Sequence, residues 1–206
     1  MRVVIFGASG ATGRHLVSQA LEGGHDVTAF VRDAARLGTR HERLSLVQGD
    51  VADRGAVARG VAGQDAALSA LGVGRPLRHD QAVIDGVGHV LRAMEREGVR
   101  RLVYLSTTGV RDSRSDAGWA VRLMAASLIR NEIADHEIKE GLVRASSLDW
   151  TIVRAPVLTS GRRTGVYRAG EDVAARSLLP KLSRADVAEF MIRQLGDARF
   201  LRKDPA

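Results

Sequence analysis

The chain of 206 residues carries 31 basic and 24 acidic residues, a net charge of +7, and no cysteine; disulfides, thiolate metal sites, cysteine nucleophiles and redox thiols are thereby excluded together. With 45% apolar and 27% charged residues it has the balance of one globular domain with a full core, and no apolar run approaches the ~20 residues that cross a bilayer. A first strand beginning at Arg2 leaves no room for a signal peptide, so a cytoplasmic protein away from the membrane is expected.

The basic balance would suit an anionic partner, and nucleic acid is the first to weigh. Its distribution argues against that partner: only Lys139, Lys181 and Lys203 are lysines, and the arginines are dispersed along the whole chain without a dense run.

Short apolar runs alternate with longer segments of helical period, the pattern of a parallel sheet covered by helices on both faces. "RVVIF" (residues 2–6) reads as a buried strand, and Leu16, Val17, Ala20 and Leu21 mark a helix that the glycines at 23 and 24 stop. Strands follow in "DVTAFV" and "RLSLVQ", a helix over 53–62, a fourth strand in "DAALSALG" and a long helix over 80–97. "RLVYLS" is a fifth strand, 119–145 largely helix, "DWTIVRA" a sixth strand, and Ser183 with Asp186 starts a last helix as a capping box. The expected fold is α/β, a doubly wound parallel sheet (Rossmann fold), one domain over 1–206 with a small C-terminal substrate-side lobe. Residues 157–182 form its substrate-side loop, and the Gly- and Arg-rich stretch 157–177 is the expected mobile lid.

Three glycines, Gly7, Gly10 and Gly13, close the first strand and open the first helix. The start of a helix exposes unpaired N–H groups and a partial positive charge that stabilise a pyrophosphate, and side chains there would block the approach. The glycines permit the turn, let a ligand near the backbone and let the helix pack on the sheet. Gly7, Ser9, Gly10, Ala11, Thr12 and Gly13 are therefore candidate cofactor-binding residues. At the end of the second strand a cofactor with a free ribose 2′-hydroxyl normally meets an acid, but here Val31 holds that position, with Arg32 after it and Arg36 one helical turn on. Two guanidiniums suit a 2′-phosphate, which favours NADPH over NAD even with Asp33 between them.

These residues resemble the atypical short-chain dehydrogenase/reductases of the NAD(P)-binding, NmrA-like kind, including their flavin/biliverdin reductase branch. The resemblance covers nearly the whole chain through "FGASGATG", "VRDAARL", "GDV" at 49–51, "GQDAALSALG" at 63–72, "ADHEIKEGLVRASSLDWTIVRAP" at 134–156 and "SRADVAEFM". It implies that Asp50 and Val51 touch the adenine, that Leu71 and Gly72 flank the cofactor ribose and phosphate, and that Pro156 lies near the nicotinamide. His136 matches a histidine of the flavin/biliverdin reductase branch, whereas Val157 stands where that branch has a second one, which puts the same substrate in doubt.

Reduction of a simple ketone needs an acid for the developing alkoxide, which the typical short-chain dehydrogenases supply with a Tyr and a Lys four residues later. This chain lacks the pair: Thr108 follows Tyr104 and Glu171 follows Tyr167 at that spacing. Ser106, Thr107 and His136 are the candidate catalytic residues that remain, with Ser106 also a candidate cofactor contact. A conjugated acceptor delocalises the incoming electron pair and tolerates a weak proton donor, so a flavin, a quinone or a biliverdin-like tetrapyrrole is the expected substrate, with Arg162 and Arg163 able to attract its anionic groups. The expectation is an NADPH-dependent oxidoreductase, a monomer or weak homo-oligomer with a small-molecule substrate. An NmrA-like redox sensor without turnover and an NAD(P)-dependent epimerase are the alternatives; epimerases usually keep the tyrosine and a larger C-terminal domain. No metal-ligand spacing, nucleophile elbow or phosphate-binding Gly-x-x-x-x-Gly-Lys is present.

Overall fold

The computed structural model describes residues 1–72, 79–110, 130–171, 173 and 180–206. Six strands, β1 (Arg2–Phe6), β2 (Asp26–Val31), β3 (Leu44–Gln48), β4 (Ala66–Ser69), β5 (Arg101–Thr107) and β6 (Asp149–Ala155), form one sheet in the order β3-β2-β1-β4-β5-β6. Every pairing in it is parallel. The chain winds outward from β1 to β3 and then returns to lay β4 on the other side of β1. That reversal opens a crevice at the C-terminal edge between the β1 and β4 loops, where doubly wound sheets take their ligands.

Helices α1 (Ala11–Glu22) and α5 (Arg184–Arg193) cover one face, and α2 (Arg54–Val61), α3 (Gln81–Glu97) and α4 (Arg130–Ala145) the other. The period of two along β1 feeds both cores: Val3 and Ile5 join Leu16, Val17 and Met191 on the first face, while Val4 and Phe6 join Phe30, Met94 and Ile152 on the second. The doubly wound α/β fold expected from the sequence is the fold observed. Residues 119–129 of the expected long helix lie outside the described residues, and its remainder is α4.

The chain end runs alongside β6 and supplies that strand with backbone acceptors: Ile152 N–H donates to Lys203 at 3.0 Å and Arg154 N–H to Pro205 at 2.9 Å. Asp204 in this tail meets Arg154 Nη1 and Arg144 Nη2, both at 2.6 Å. Arg154 in turn donates to both oxygens of the buried Glu140 at 3.2 and 2.8 Å. A buried charge network thus ties α4, β6 and the tail together.

The stretch expected to act as a lid is fixed to the body over much of its described part. Strands β7 (Val157–Thr159) and β8 (Lys181–Ser183) pair in parallel. Asp186 in the first turn of α5 accepts from Thr164 N–H at 2.7 Å, Gly165 N–H at 2.9 Å and Ser183 Oγ at 2.7 Å. Ser183 caps α5 as expected, accepting from Asp186 N–H, but the Asp186 carboxylate turns to the 164–165 backbone rather than only back to the cap. Gly170 and Ala206 exchange backbone hydrogen bonds in both directions.

Candidate functional site

The three glycines have three different jobs. Gly7 has φ +76°, and a Cβ there would lie 2.6 Å from the Ala70 carbonyl at the end of β4. A Cβ on Gly13 would come within 2.0 Å of the Gly7 carbonyl, so this glycine lets α1 sit directly on the turn. Both are required by the protein's own backbone. Gly10 alone is exposed, and it holds the N-cap position of α1 with no side-chain cap. Asp53, Asp80 and Ser183 close α2, α3 and α5 with their own oxygens. The Ala11, Thr12 and Gly13 N–H groups have no acceptor within the helix, so α1 opens into the crevice with its positive end bare.

The corner expected to take the adenosine lies at the ends of β2 and β3. Arg32 and Arg36 are exposed there. Asp33 between them caps a 3-10 turn over Ala34–Arg36, its Oδ1 accepting from Ala35 N–H at 3.0 Å. Arg14, which the sequence reading did not single out, donates from Nη2 to the Arg36 carbonyl at 2.7 Å and so brings a third guanidinium to this corner. Its placement one residue after the last glycine was the available signal.

Asp50 is exposed and Val51 half-buried, just past β3. Asp50 Oδ1 accepts from Ala52 N–H at 2.9 Å. Val51 is clamped from α3: a Cβ on Gly86 would lie 2.5 Å from Val51 Cγ2, and the Val51 carbonyl is 2.9 Å from His89 Nδ1. Arg54 Nε donates to His89 Nε2 at 3.1 Å. Since an arginine N–H can only donate, the His89 proton sits on Nδ1 and points at Val51. Gly86 and His89 look in the sequence like ordinary helix positions, and only the α2–α3 packing reveals what they hold.

At the other end of the edge, Leu71 is half-buried, Gly72 exposed and Pro156 half-buried, each just beyond its strand. Ser106 and Thr107 finish β5 with opposite orientations, as successive strand residues must. Ser106 is buried toward α4, with Oγ 3.4 Å from His136 Nδ1; Thr107 is half-buried. His136 is 7% exposed. Burial pushes its imidazole down to about 3, the Lys139 ammonium pushes the same way, and Asp135 opposes them, so it is neutral at physiological pH and has no proton to spare. Tyr104 is buried on β5, and burial followed by the Glu140 charge raises its hydroxyl far above the ordinary range; it is no substitute for the missing acid.

One sequence expectation is corrected. Arg163 pairs with Glu22 at 3.3 Å, at the far end of α1, and a helix of 12 residues spans ~18 Å. Its guanidinium is thus directed away from the glycine loop, and Arg162 beside it is exposed. Among the described residues no group of three His, Asp or Glu side chains is arranged to hold a metal ion, and no helix is long and apolar enough to cross a membrane.

Comparison with known proteins gives the family and the fold. Residues 7–198 match the NAD(P)H-binding family model. A short-chain dehydrogenase/reductase from Veillonella parvula DSM 2008 in complex with NADP superposes with TM-score 0.82 at 19% identity, over 99% of this chain and 92% of that one. ChuY, an anaerobillin reductase from Escherichia coli O157:H7, gives TM-score 0.78 at 22% identity over 100% and 95%. An uncharacterized protein of Mycobacterium tuberculosis (strain ATCC 25618 / H37Rv) is 33% identical over 107 residues, 52% of this chain and 12% of its own length, so the chain spans about an eighth of that relative. The match begins at the first of the three glycines and runs through α5, and the chain belongs to the NAD(P)H-binding family.

Proposed function

We propose that the protein is an NADPH-dependent reductase that passes hydride to a conjugated small-molecule acceptor, a flavin, a quinone or a linear tetrapyrrole. The observation that carries the reading is the uncapped N-terminus of α1 with Arg32, Arg36 and Arg14 grouped at the ends of β2 and α1. The N–H groups of Ala11, Thr12 and Gly13 hold the pyrophosphate beside Gly10, with Ser9 and Gly7 shaping the turn. Arg32 and Arg36 hold the 2′-phosphate with charge-assisted hydrogen bonds, and Asp50 and Val51 border the adenine. Leu71 and Gly72 flank the ribose, and Ser106, Thr107 and Pro156 frame the nicotinamide.

When bound, the reduced nicotinamide supplies a hydride. The chain's part is to orient that ring with the Ser106 hydroxyl, which His136 backs as a neutral imidazole. A buried Tyr104 and a neutral His136 favour an acceptor that spreads its charge over one that demands a strong acid at a single oxygen. A neighbour of the same fold is an anaerobillin reductase, which supports the tetrapyrrole class. The reading carries with it a cytoplasmic protein with no nucleic-acid partner, acting alone or as a weak homo-oligomer. Loss of NADPH absorbance with flavin, quinone and tetrapyrrole acceptors tests it: turnover with at least one is expected. Tight NADPH binding with no oxidation across the panel would make the chain a redox sensor instead.

A further inference from the structure

We propose that His79 and Asp135 form an acid–base dyad that delivers the proton accompanying hydride transfer, an inference that rests on the reductase reading above. Asp135, on α4, is 1% exposed; one of its oxygens lies 2.5 Å from His79 Nδ1, and the other accepts from Asp80 N–H at 2.9 Å. The carboxylate is held from two sides and cannot turn away from the ring. His79 itself is 51% exposed in its side chain, so the ring meets solvent while its partner does not.

The remaining ring nitrogen shows which protonation state this arrangement is built for. His79 Nε2 lies 3.1 Å from Gln81 Oε1, and Gln81 Nε2 donates to Asp85 Oδ1 at 2.8 Å, which fixes the amide oxygen toward the histidine. Both ring nitrogens therefore face acceptors, and only the imidazolium satisfies both. Asp135 first, then Gln81 and more weakly Asp80, raise the His79 pKa above its ordinary value. Among the described residues, the other charged groups near Asp135 are Glu132 and Lys139 of its own helix. Lys139 is fully buried with its Nζ unpartnered among the described residues, one helical turn beyond Asp135.

Location makes the dyad more than a clasp between helices. α3 follows β4 and α4 precedes β6 in a parallel sheet, so the first turns of both open at the C-terminal edge. The residue after Asp135 is His136, whose ring meets Ser106 at the end of β5. Tyr104 and His136 have no proton to give at neutral pH, whereas His79, with an acceptor at each ring nitrogen, is arranged to hold one. In the step, the acceptor takes the hydride and its electron pair from the reduced dinucleotide, which is oxidised. The acceptor displaces Gln81, the His79 Nε2–H bond breaks, and the proton goes to the acceptor heteroatom that holds the added charge. Neutral His79 keeps its Nδ1–H on the Asp135 carboxylate, and solvent restores the lost proton.

Two readouts test the dyad. In an NMR titration of the protein without ligand, His79, assigned by its loss in His79→Gln, titrates above about 6.5, and Asp135→Asn brings it back down. In steady-state NADPH oxidation with a naphthoquinone, kcat falls as pH rises through that titration. His79→Gln lowers kcat at pH 7 by at least ~10-fold and removes this alkaline limb, with NADPH affinity by calorimetry unchanged within about twofold; Asp135→Asn moves the limb to lower pH. His79 is half-exposed, so its variant carries the test even where Asp135→Asn fails to fold. A His79 that titrates at the ordinary value, a His79→Gln enzyme with the wild-type rate and pH profile, or a kcat loss matched by an equal loss of NADPH affinity would each overturn the dyad while leaving the reductase reading intact. A wild-type protein that oxidises no NADPH with any acceptor defeats the reductase reading, and proton delivery with it.

Discussion

Along the C-terminal edge of the sheet, the β1–β2 end offers a ligand mainly backbone: the bare N–H groups of α1 beside Gly10, the turn at Gly7, and the chain past β3 at Asp50 and Val51. The β5–β6 end offers side chains brought together from far apart, Ser106 with His136 across 30 residues and His79 with Asp135 across 56. A backbone-built site needs particular residues at fixed spacings, because only glycine leaves the N–H groups open. A side-chain site needs only that two helices pack in the right register, and nothing local in the chain announces it.

The sharpest way to break this contrast is to remove a buried charge from the side-chain end. Glu140 is fully buried between Arg154 and Arg144, and Glu140→Ala would leave the buried Arg154 guanidinium with less carboxylate around it. A loss of about 3–5 kcal/mol in urea unfolding is expected. Asp65→Ala, which breaks the exposed Arg2–Asp65 pair at the far edge, should cost under ~1 kcal/mol. Equal costs would mean that the α4–β6 network is no more than surface decoration.

At the backbone end, glycines that look alike in the sequence should separate. Gly13→Ala drives a Cβ into the Gly7 carbonyl and should destabilise the fold by about 3 kcal/mol or more. Gly10→Ala meets only that same carbonyl at 3.1 Å and should leave stability within ~1 kcal/mol of wild type, because small substitutions at exposed sites are mild. Its effect should fall on NADPH affinity by calorimetry, because the added methyl stands where the proposed pyrophosphate site opens.

That separation marks how far the sequence was legible. All six sheet strands and the Ser183 cap follow from apolar period and turn chemistry, and the expected bounds of β2 and β6 match the observed ones. The glycine spacing marked the turn from β1 into α1 but could not say that Gly7 and Gly13 serve the protein's own packing, because that depends on how close α1 and β4 come. His136 read as a candidate catalyst from its match to a family histidine; its burial against Ser106 depends on the α4–β5 register. The Arg163 expectation failed for a related reason, since Glu22 is 141 residues away in the chain.

Arg32→Ala sharpens the comparison on the charged corner. It should weaken NADPH by ~10- to 100-fold, the scale of one or two hydrogen bonds to a charged group, and leave NADH nearly unchanged. Equal weakening of both would remove Arg32 from the 2′-phosphate. Arg14→Ala should give a smaller effect of the same sign, because Arg14 also steadies the turn that carries Arg36.

The smallest expected effect lies where the two kinds of construction meet, at Val51. Its backbone is the proposed adenine border, yet a side chain on another helix, His89, holds its carbonyl. His89→Leu removes the Nδ1–H donor and should lower NADPH affinity by about fivefold, near 1 kcal/mol for one neutral hydrogen bond. Reduced nicotinamide mononucleotide, which has no adenosine, should bind the variant as it binds wild type. His89→Asn carries an amide N–H to nearly the same point as Nδ1 and should restore most of the NADPH affinity while still lacking the Arg54 contact. If both nucleotides weaken together in His89→Leu, or if Asn fails to rescue while the fold holds, then His89 supports α2–α3 packing in general and does not position the adenine border.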